Sequence, residues 1–348
     1  MMKVRDNAEL SAAARSFFEK EGLLFDKERY LTDNDELSFA FKDEATIQRL
    51  FVKNYENNHS KKRSFEVTIL SCIALLGVCD IKTIKAYASL LYDQALIDGR
   101  IFAMISDSDR VRNILKKHIS TTGLLIKHNF LLSDTEADKT NVALYLPTRP
   151  LIHYLRSIYS KEVSDEISLA MLSPQRLSGK ALTNMVALRC ADMLDCYDVR
   201  YVTRDFRTPA AGKMQTDATL YVEGTSKKAY IGFVSLCFDD LSTAHLKSDF
   251  NEYLRQRMEL IKQFEFYYRN RCDESAVICV CSSLNDLIMF ADELVNSFDA
   301  PSSLYFRLYF TSEKAFKDDF TLGSRFLTLS ETDNGSYRID TCELQLFY

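Results

Sequence analysis

No run in the chain approaches the roughly 20 consecutive apolar residues of a membrane-crossing helix, which excludes a helical membrane span. Near the start, Lys3 and Arg5 are followed by Asp6 and Glu9 instead of the apolar core of a secretory signal. These two absences lead to the expectation of a cytoplasmic protein with no membrane partner. Nine cysteines are present, but none forms a CxxC pair and none stands with histidine at zinc spacing. Their odd number argues against a complete disulfide framework. Cys72, Cys79 and Cys190 fall in or at the end of apolar helical stretches, and Cys279 and Cys281 share one face of a predicted strand, positions where a thiol acts as a small hydrophobe. His59, His118, His128, His153 and His245 are scattered, and their spacing offers no nucleophile, base and orienter arrangement. Phosphate loops of the GxxxxGKS/T or GxGxxG kind are missing, as are internal repeats and low-complexity tracts. Spacing therefore points to no catalytic residue, no cofactor and no metal.

What remains is an ordinary globular composition, 47% apolar and 27% charged over 348 residues, enough for roughly two to three domains. Residues 1–60 read as a helical N-terminal extension: a helix from Asn7 to Glu21 closed by Gly22, an extended piece at Leu37 to Phe41, and a helix from Glu44 to Tyr55. The polar run Glu56 to Ser64 reads as a linker.

Residues 61–159 follow the order of a winged helix-turn-helix. Ile69, Cys72, Ile73 and Leu76 make one apolar face on a helix from Phe65 to Gly77, where glycine supplies the stop. Asp80 is a good N-cap for a second helix carrying Ile81, Ile84, Ala88 and Leu91 inward. After a short turn, a third helix runs from about Asp109 to Thr122 and turns Val111, Ile114, Leu115 and His118 inward. Gly123 ends it, and Leu124 to Leu132 with Asn141 to Leu146 form a two-stranded wing around a polar tip. Leu151 to Tyr159 can add one more helix.

The third helix leaves Arg110, Arg112, Asn113, Lys116, Lys117, Ser120 and Thr121 outside, and Lys127 follows on the wing. Such a face suits double-stranded DNA, because cations pair with phosphates while Asn, Ser and Thr reach base edges. Between Lys61 and His128 there are eleven Lys and Arg against six acidic residues, a local +5 in a chain of net −5. The wing tip is different: Asp134, Glu136 and Asp138 against Lys139 should repel phosphate. A charged helix face can also be merely solvated, and winged helices also mediate protein contacts.

A loosely patterned stretch, Ser160 to Gln175, leads to the second half, an α/β domain expected over residues 176–348. Ser178 would cap a helix bearing Leu182, Val186, Cys190 and Met193, and Val199 to Thr203 is a brief strand. Leu220 to Val222 and Tyr230 to Leu236 form a hairpin, followed by a long helix from Ala244 to Arg269 with Phe250, Leu254, Ile261, Phe264 and Tyr268 inward. A strand at Ala276 to Cys281, a helix at Asn285 to Asn296, a strand at Tyr305 to Phe310 and a last hairpin around Asp333, Asn334 and Gly335 complete the pattern. Mixed pairing is expected, antiparallel in the first hairpin and parallel in the later strands.

The order of helix, hairpin, long helix and strand resembles the restriction-endonuclease-like fold. In its active members an Asp begins the second strand, and an acidic residue, any residue and Lys lie in the third, because carboxylates hold a divalent metal while Lys assists water. Thr216-Asp217-Ala218 resembles the first motif, so Asp217 is the vestigial nuclease position. Tyr230 to Ser235 holds neither carboxylate nor lysine, while Asp239 and Asp240 come later. The alternative reading of Asp217 is a turn or strand-edge residue.

Taken together, ILKKHISTTGLL (Ile114 to Leu125), TDATLYV (Thr216 to Val222), AYIGFVSL (Ala229 to Leu236) and the helix start Lys247 to Tyr253 make residues 61 to 310 similar to the replication-relaxation family of plasmid and conjugative-element proteins. The chain departs from that pattern at Gly232 and Phe233, where the family carries an acidic residue. The resemblance implies DNA binding in plasmid replication, mobilisation or conjugation, by a non-catalytic accessory protein that recruits a relaxase or replication protein. Two other readings stay open: a metal-dependent nuclease using Asp217 with a displaced carboxylate such as Glu223 or Asp239, and a transcriptional regulator whose second domain forms a homodimer or senses a partner.

Overall fold

The computed structural model of the chain describes residues 9–18, 65–133, 139–148, 151–152, 174–194, 198–201, 207–208, 212–213, 217–236, 247–268, 271–281, 283–297, 307–312, 314–316, 324–331 and 337–346. The expected elements at Leu37 to Phe41 and Glu44 to Tyr55, the linker Glu56 to Ser64, residues 134–138 of the wing tip expected from Ser133 to Thr140, the part of the Leu151 to Tyr159 helix after Ile152, and Asp239 and Asp240 lie outside them; Ser133, Lys139 and Thr140 belong to strands. The chain is mixed α+β and divides into two compact units. Among the described residues no helix is long and apolar enough to cross a membrane.

At the N-terminus, β1 (Glu9–Leu10) precedes α1 (Ala12–Ser16), whose cap Ser11 accepts the Ala14 N–H at 3.0 Å. The sequence suggested one helix from Asn7; instead Glu9 and Leu10 are a parallel edge strand of the large sheet, because a sheet edge offers ladder partners that local propensity does not reveal.

Among the described residues, the first compact unit opens on α2 (Phe65–Leu76), a helix buried on most sides through Ile69, Leu70, Ile73 and Leu76. Gly77 stops it at φ 75°, a conformation that costs glycine little. Cys79 then makes an isolated antiparallel bridge to Tyr145. Asp80 caps α3 (Ile81–Asp93), accepting the Thr83 N–H and hydroxyl at 2.7 Å each. The expected short turn contains a helix of its own, α4 (Gly99–Ser106), with Asp98 accepting the Ile101 N–H at 2.9 Å and Ile105 buried. Only one residue, Asp107, separates it from α5 (Ser108–Ser120). In α5, Val111, Leu115 and His118 are buried and Ile114 is half-buried. Gly123 turns the chain at φ 63° into β2 (Leu125–Ser133), which pairs antiparallel with β3 (Lys139–Pro147) over their whole lengths.

Helix α6 (Pro174–Met193) starts before Ser178 and belongs to this unit, not to the sheet. This unit runs to Met193, whereas the sequence suggested a second domain beginning at residue 176. Leu177 and Ala181 join Val78, Leu144, Leu146 and Ile126 in one apolar cluster. Asn184 Nδ2 donates to the Leu76 and Val78 carbonyls at 2.9 and 2.8 Å. Leu182, Val186 and Cys190 are buried as their spacing predicts, whereas Met193 is exposed.

Among the described residues, the second unit is built around an eight-stranded mixed sheet. Its elements are β4 (Asp198–Tyr201), then the small separate pair β5 (Arg207–Thr208) and β6 (Gly212–Lys213), then β7 (Ala218–Glu223), β8 (Lys228–Leu236), α7 (Lys247–Tyr268), β9 (Glu274–Cys281), α8 (Leu284–Ser297), β10 (Leu308–Ser312), β11 (Phe326–Glu331) and β12 (Tyr337–Cys342). The spatial order is β1-β12-β11-β10-β9-β8-β7-β4. As expected, β7 and β8 form an antiparallel hairpin while β8, β9 and β10 are parallel. Those three strands are nearly continuous in buried residues, the mark of a sheet covered on both faces. Two helices, α7 and α8, pack on β8 and β9 and touch each other. Phe233, Ile231, Phe264, Ile278, Phe290 and Phe310 fill the core.

Candidate nucleic-acid interface

Helix α5 is amphipathic, and its outer face carries most of the residues the sequence singled out. Arg110, Arg112, Asn113, Lys116, Ser120 and Thr121 are exposed, and so is Lys127 early in β2. The arginines bring partners with them: Arg110 Nε lies 3.1 Å from Asp107, and an Arg112 guanidinium nitrogen lies 2.8 Å from Asp109. Both pairs are solvent-exposed, so each is weak and exchangeable. The Ser120 hydroxyl donates to the Lys116 carbonyl at 2.8 Å, a bond within the helix. At the N-terminal end, Lys85 Nζ donates to Ser108 Oγ at 2.7 Å and ties the start of α5 to α3.

Lys117 departs from the expectation. Its ammonium donates to Glu66 Oε1 at 2.8 Å, on the first turn of α2, and the side chain is only partly exposed. The same oxygen lies 2.6 Å from His118 Nε2, and His118 Nδ1 is 2.9 Å from Thr122 Oγ1. Thr122 Oγ1 also lies 3.2 Å from the His118 carbonyl, so the hydroxyl can serve either protonation state of the ring. The His118 hydrogen bond, followed by that from Lys117, holds the Glu66 carboxyl at about 2, well below the usual carboxylate range. Glu66 was invisible as a site residue in the sequence, because its partners lie 51 and 52 positions away and only folding brings the two helices together.

Asp217 stands just before β7. Its Oδ2 accepts the Ser235 N–H of β8 at 2.7 Å and the Arg257 guanidinium of α7 at 3.1 Å, with both side chains largely buried. Its own N–H donates to the Phe233 carbonyl at 2.9 Å. This carboxylate therefore joins the hairpin to the helix. Arg257, missed in the sequence, supplies the cation of this pair from α7. Glu223, one candidate for a displaced ligand, is at the other end of β7 and pairs with Lys228 at 3.5 Å. At about 3.3 Å per residue, the strand keeps Glu223 roughly 20 Å from Asp217, too far to share a cation. Among the described residues no group of three His, Cys, Asp or Glu could hold a metal ion.

Most of the thiols among the described residues are buried. Burial pushes Cys190 up to about 12 and raises Cys79, Cys279 and Cys281 as well, which leaves them as protonated core hydrophobes. No protein-family model, no curated protein and no solved structure matches the chain.

Proposed function

We propose that residues 61–159 form a winged helix-turn-helix that binds double-stranded DNA through α5, and that the chain is a DNA-binding accessory protein of a plasmid or conjugative element. The observation that carries the reading is the outer face of α5, where Arg112, Asn113, Lys116, Ser120 and Thr121 stand exposed, as does Lys127 of the hairpin. Arginine and lysine at the flanks meet phosphates, while Asn113 at the centre of the face reaches a base edge. The plasmid or conjugative setting, and recruitment of a relaxase or replication protein by the sheet unit, rest on the resemblance of the motifs at Ile114 to Leu125 and Thr216 to Val222 to the replication-relaxation family.

On this reading the sheet unit has a restriction-endonuclease-like order without nuclease chemistry. A metal site needs several oxygens converging on one cation. Asp217 is already shared between Ser235 and Arg257. Supercoiled plasmid should stay intact in Mg²⁺ or Mn²⁺; cleavage that vanishes in Asp217→Ala would restore the enzyme alternative.

The direct test is a mobility-shift titration against fragments of the host element. Exchanging Lys116 and Lys127 together for Glu should weaken binding and flatten the salt dependence by about 0.9 for each lost phosphate contact. Asn113→Ala should reduce discrimination between fragments by about 1–3 kcal/mol while changing the salt slope little. Unchanged affinity in the double charge reversal would rule out α5 as the DNA-contacting helix.

A further inference from the structure

We propose that Glu66 is a specificity-determining residue of the DNA-binding unit: its carboxylate withholds the Lys117 ammonium from phosphate and so lowers sequence-independent affinity. The proposal rests on the DNA-binding reading above. Lys117 borders the exposed face of α5, next to Lys116 and one helical turn after Asn113. Its side chain keeps 41% of its exposure, so the ammonium sits at the rim of the face, while Glu66 is the more enclosed partner at 21%.

An ordinary surface ion pair would release its lysine to a phosphate at little cost. This pair differs because Glu66 is positioned from inside. The oxygen that receives Lys117 also receives His118 Nε2 at 2.6 Å, and His118 is 1% exposed and tied through Nδ1 to Thr122 Oγ1 at 2.9 Å. The carboxylate thus waits at a fixed place beneath the reading face and competes with any phosphate for the lysine. A lysine that reaches a phosphate releases counterions on every duplex alike and adds no discrimination. Keeping it back lowers that uniform background and leaves Asn113 and its neighbours to read sequence.

The sign of the expected effect separates this role from a purely structural one. Glu66→Gln keeps a carbonyl acceptor for His118 but loses the charge that retains Lys117. A disturbed fold would weaken DNA binding, whereas release of Lys117 should tighten it. The experiment is fluorescence anisotropy of the full chain with a labelled mixed-sequence duplex of about 30 base pairs, from about 50 to 200 mM salt, on the wild type and on Lys116→Ala, Lys117→Ala, Glu66→Gln and Glu66→Gln/Lys117→Ala. Lys116→Ala should flatten the slope by about 0.9, and Lys117→Ala should leave the wild-type slope. Glu66→Gln should steepen it by about 0.9, which is about 3-fold in affinity over that salt range, and the double variant should return to the wild-type slope. Weaker or unchanged binding by a folded Glu66→Gln protein, with Lys116→Ala effective, overturns the inference. Should Glu66→Gln fail to fold, Lys117→Ala decides: a wild-type slope supports the withheld lysine and a loss of about 0.9 refutes it. If Lys116→Ala also changes nothing, the DNA-binding reading fails at this helix and the inference falls with it.

Discussion

Glu66 and Asp217 are each a carboxylate that joins two elements far apart in the chain, and each carries a consequence that can be measured. For Glu66 the folded value of about 2 lies below the usual 4.5, so its contribution is complete above about pH 4.5 and is lost as pH falls toward 2. At 1.36 kcal/mol per pH unit the shift corresponds to about 3 kcal/mol at most, since the carboxylate keeps some solvent. Thermal melting followed from pH 6 down to about 2.5 should show the wild type losing more stability than Glu66→Gln; parallel curves would remove Glu66 from the acid response. For Asp217 the expected change is structural. Asp217→Ala removes a largely buried carboxylate that accepts from both the Ser235 N–H and the Arg257 guanidinium, and should destabilise the sheet unit by about 1–3 kcal/mol in urea unfolding. A midpoint equal to wild type would show that this clamp contributes nothing.

At the scale of elements, α6 is the instructive case. Its apolar spacing, Leu182, Val186 and Cys190, was plain, but periodicity gives a helix a face and not a partner. What decides the partner is the apolar cluster with Val78, Leu144 and Leu146, and the bonds from Asn184 to the Leu76 and Val78 carbonyls. Those carbonyls close the end of α2 and the approach to the Cys79 bridge, so removing the amide leaves buried acceptors unmet. Asn184→Ala should cost about 1–3 kcal/mol, read as a lower melting temperature of the helical unit, with the sheet unit unaffected. Helix α4 was missed for a related reason: at 8 residues it is too short for periodicity to separate it from a capped turn.

At the scale of the molecule, the helical unit interrupts the chain of the sheet unit, whose edge strand β1 comes from residues 9–10 and whose remaining strands follow residue 193. The two units should therefore not separate at residue 176. A fragment of residues 61–193 should unfold cooperatively by circular dichroism, whereas residues 61–159 lack α6 and should melt broadly or not at all. Equal cooperativity in the two fragments would show that α6 is dispensable. Removing residues 1–18 should also weaken the sheet unit, because β1 leaves β12 and the Phe17 carbonyl no longer accepts the Ser312 hydroxyl at 2.9 Å.

By itself the sequence determined the elements whose information is local. The Asp80 cap, the stop at Gly77, the hairpin after Gly123 and the succession of β8, α7, β9, α8 and β10 all follow from capping chemistry, glycine conformations and the two hydrophobic periods, each complete within a dozen residues. The exposed face of α5 was legible for the same reason. Only the tertiary structure decided that Lys117 faces Glu66, that Asp217 faces Arg257, and that α6 belongs with the hairpin. A side chain's charge is written at its own position, whereas its partner is set by which helices and strands pack together. That choice is made by buried area and satisfied hydrogen bonds across the whole unit.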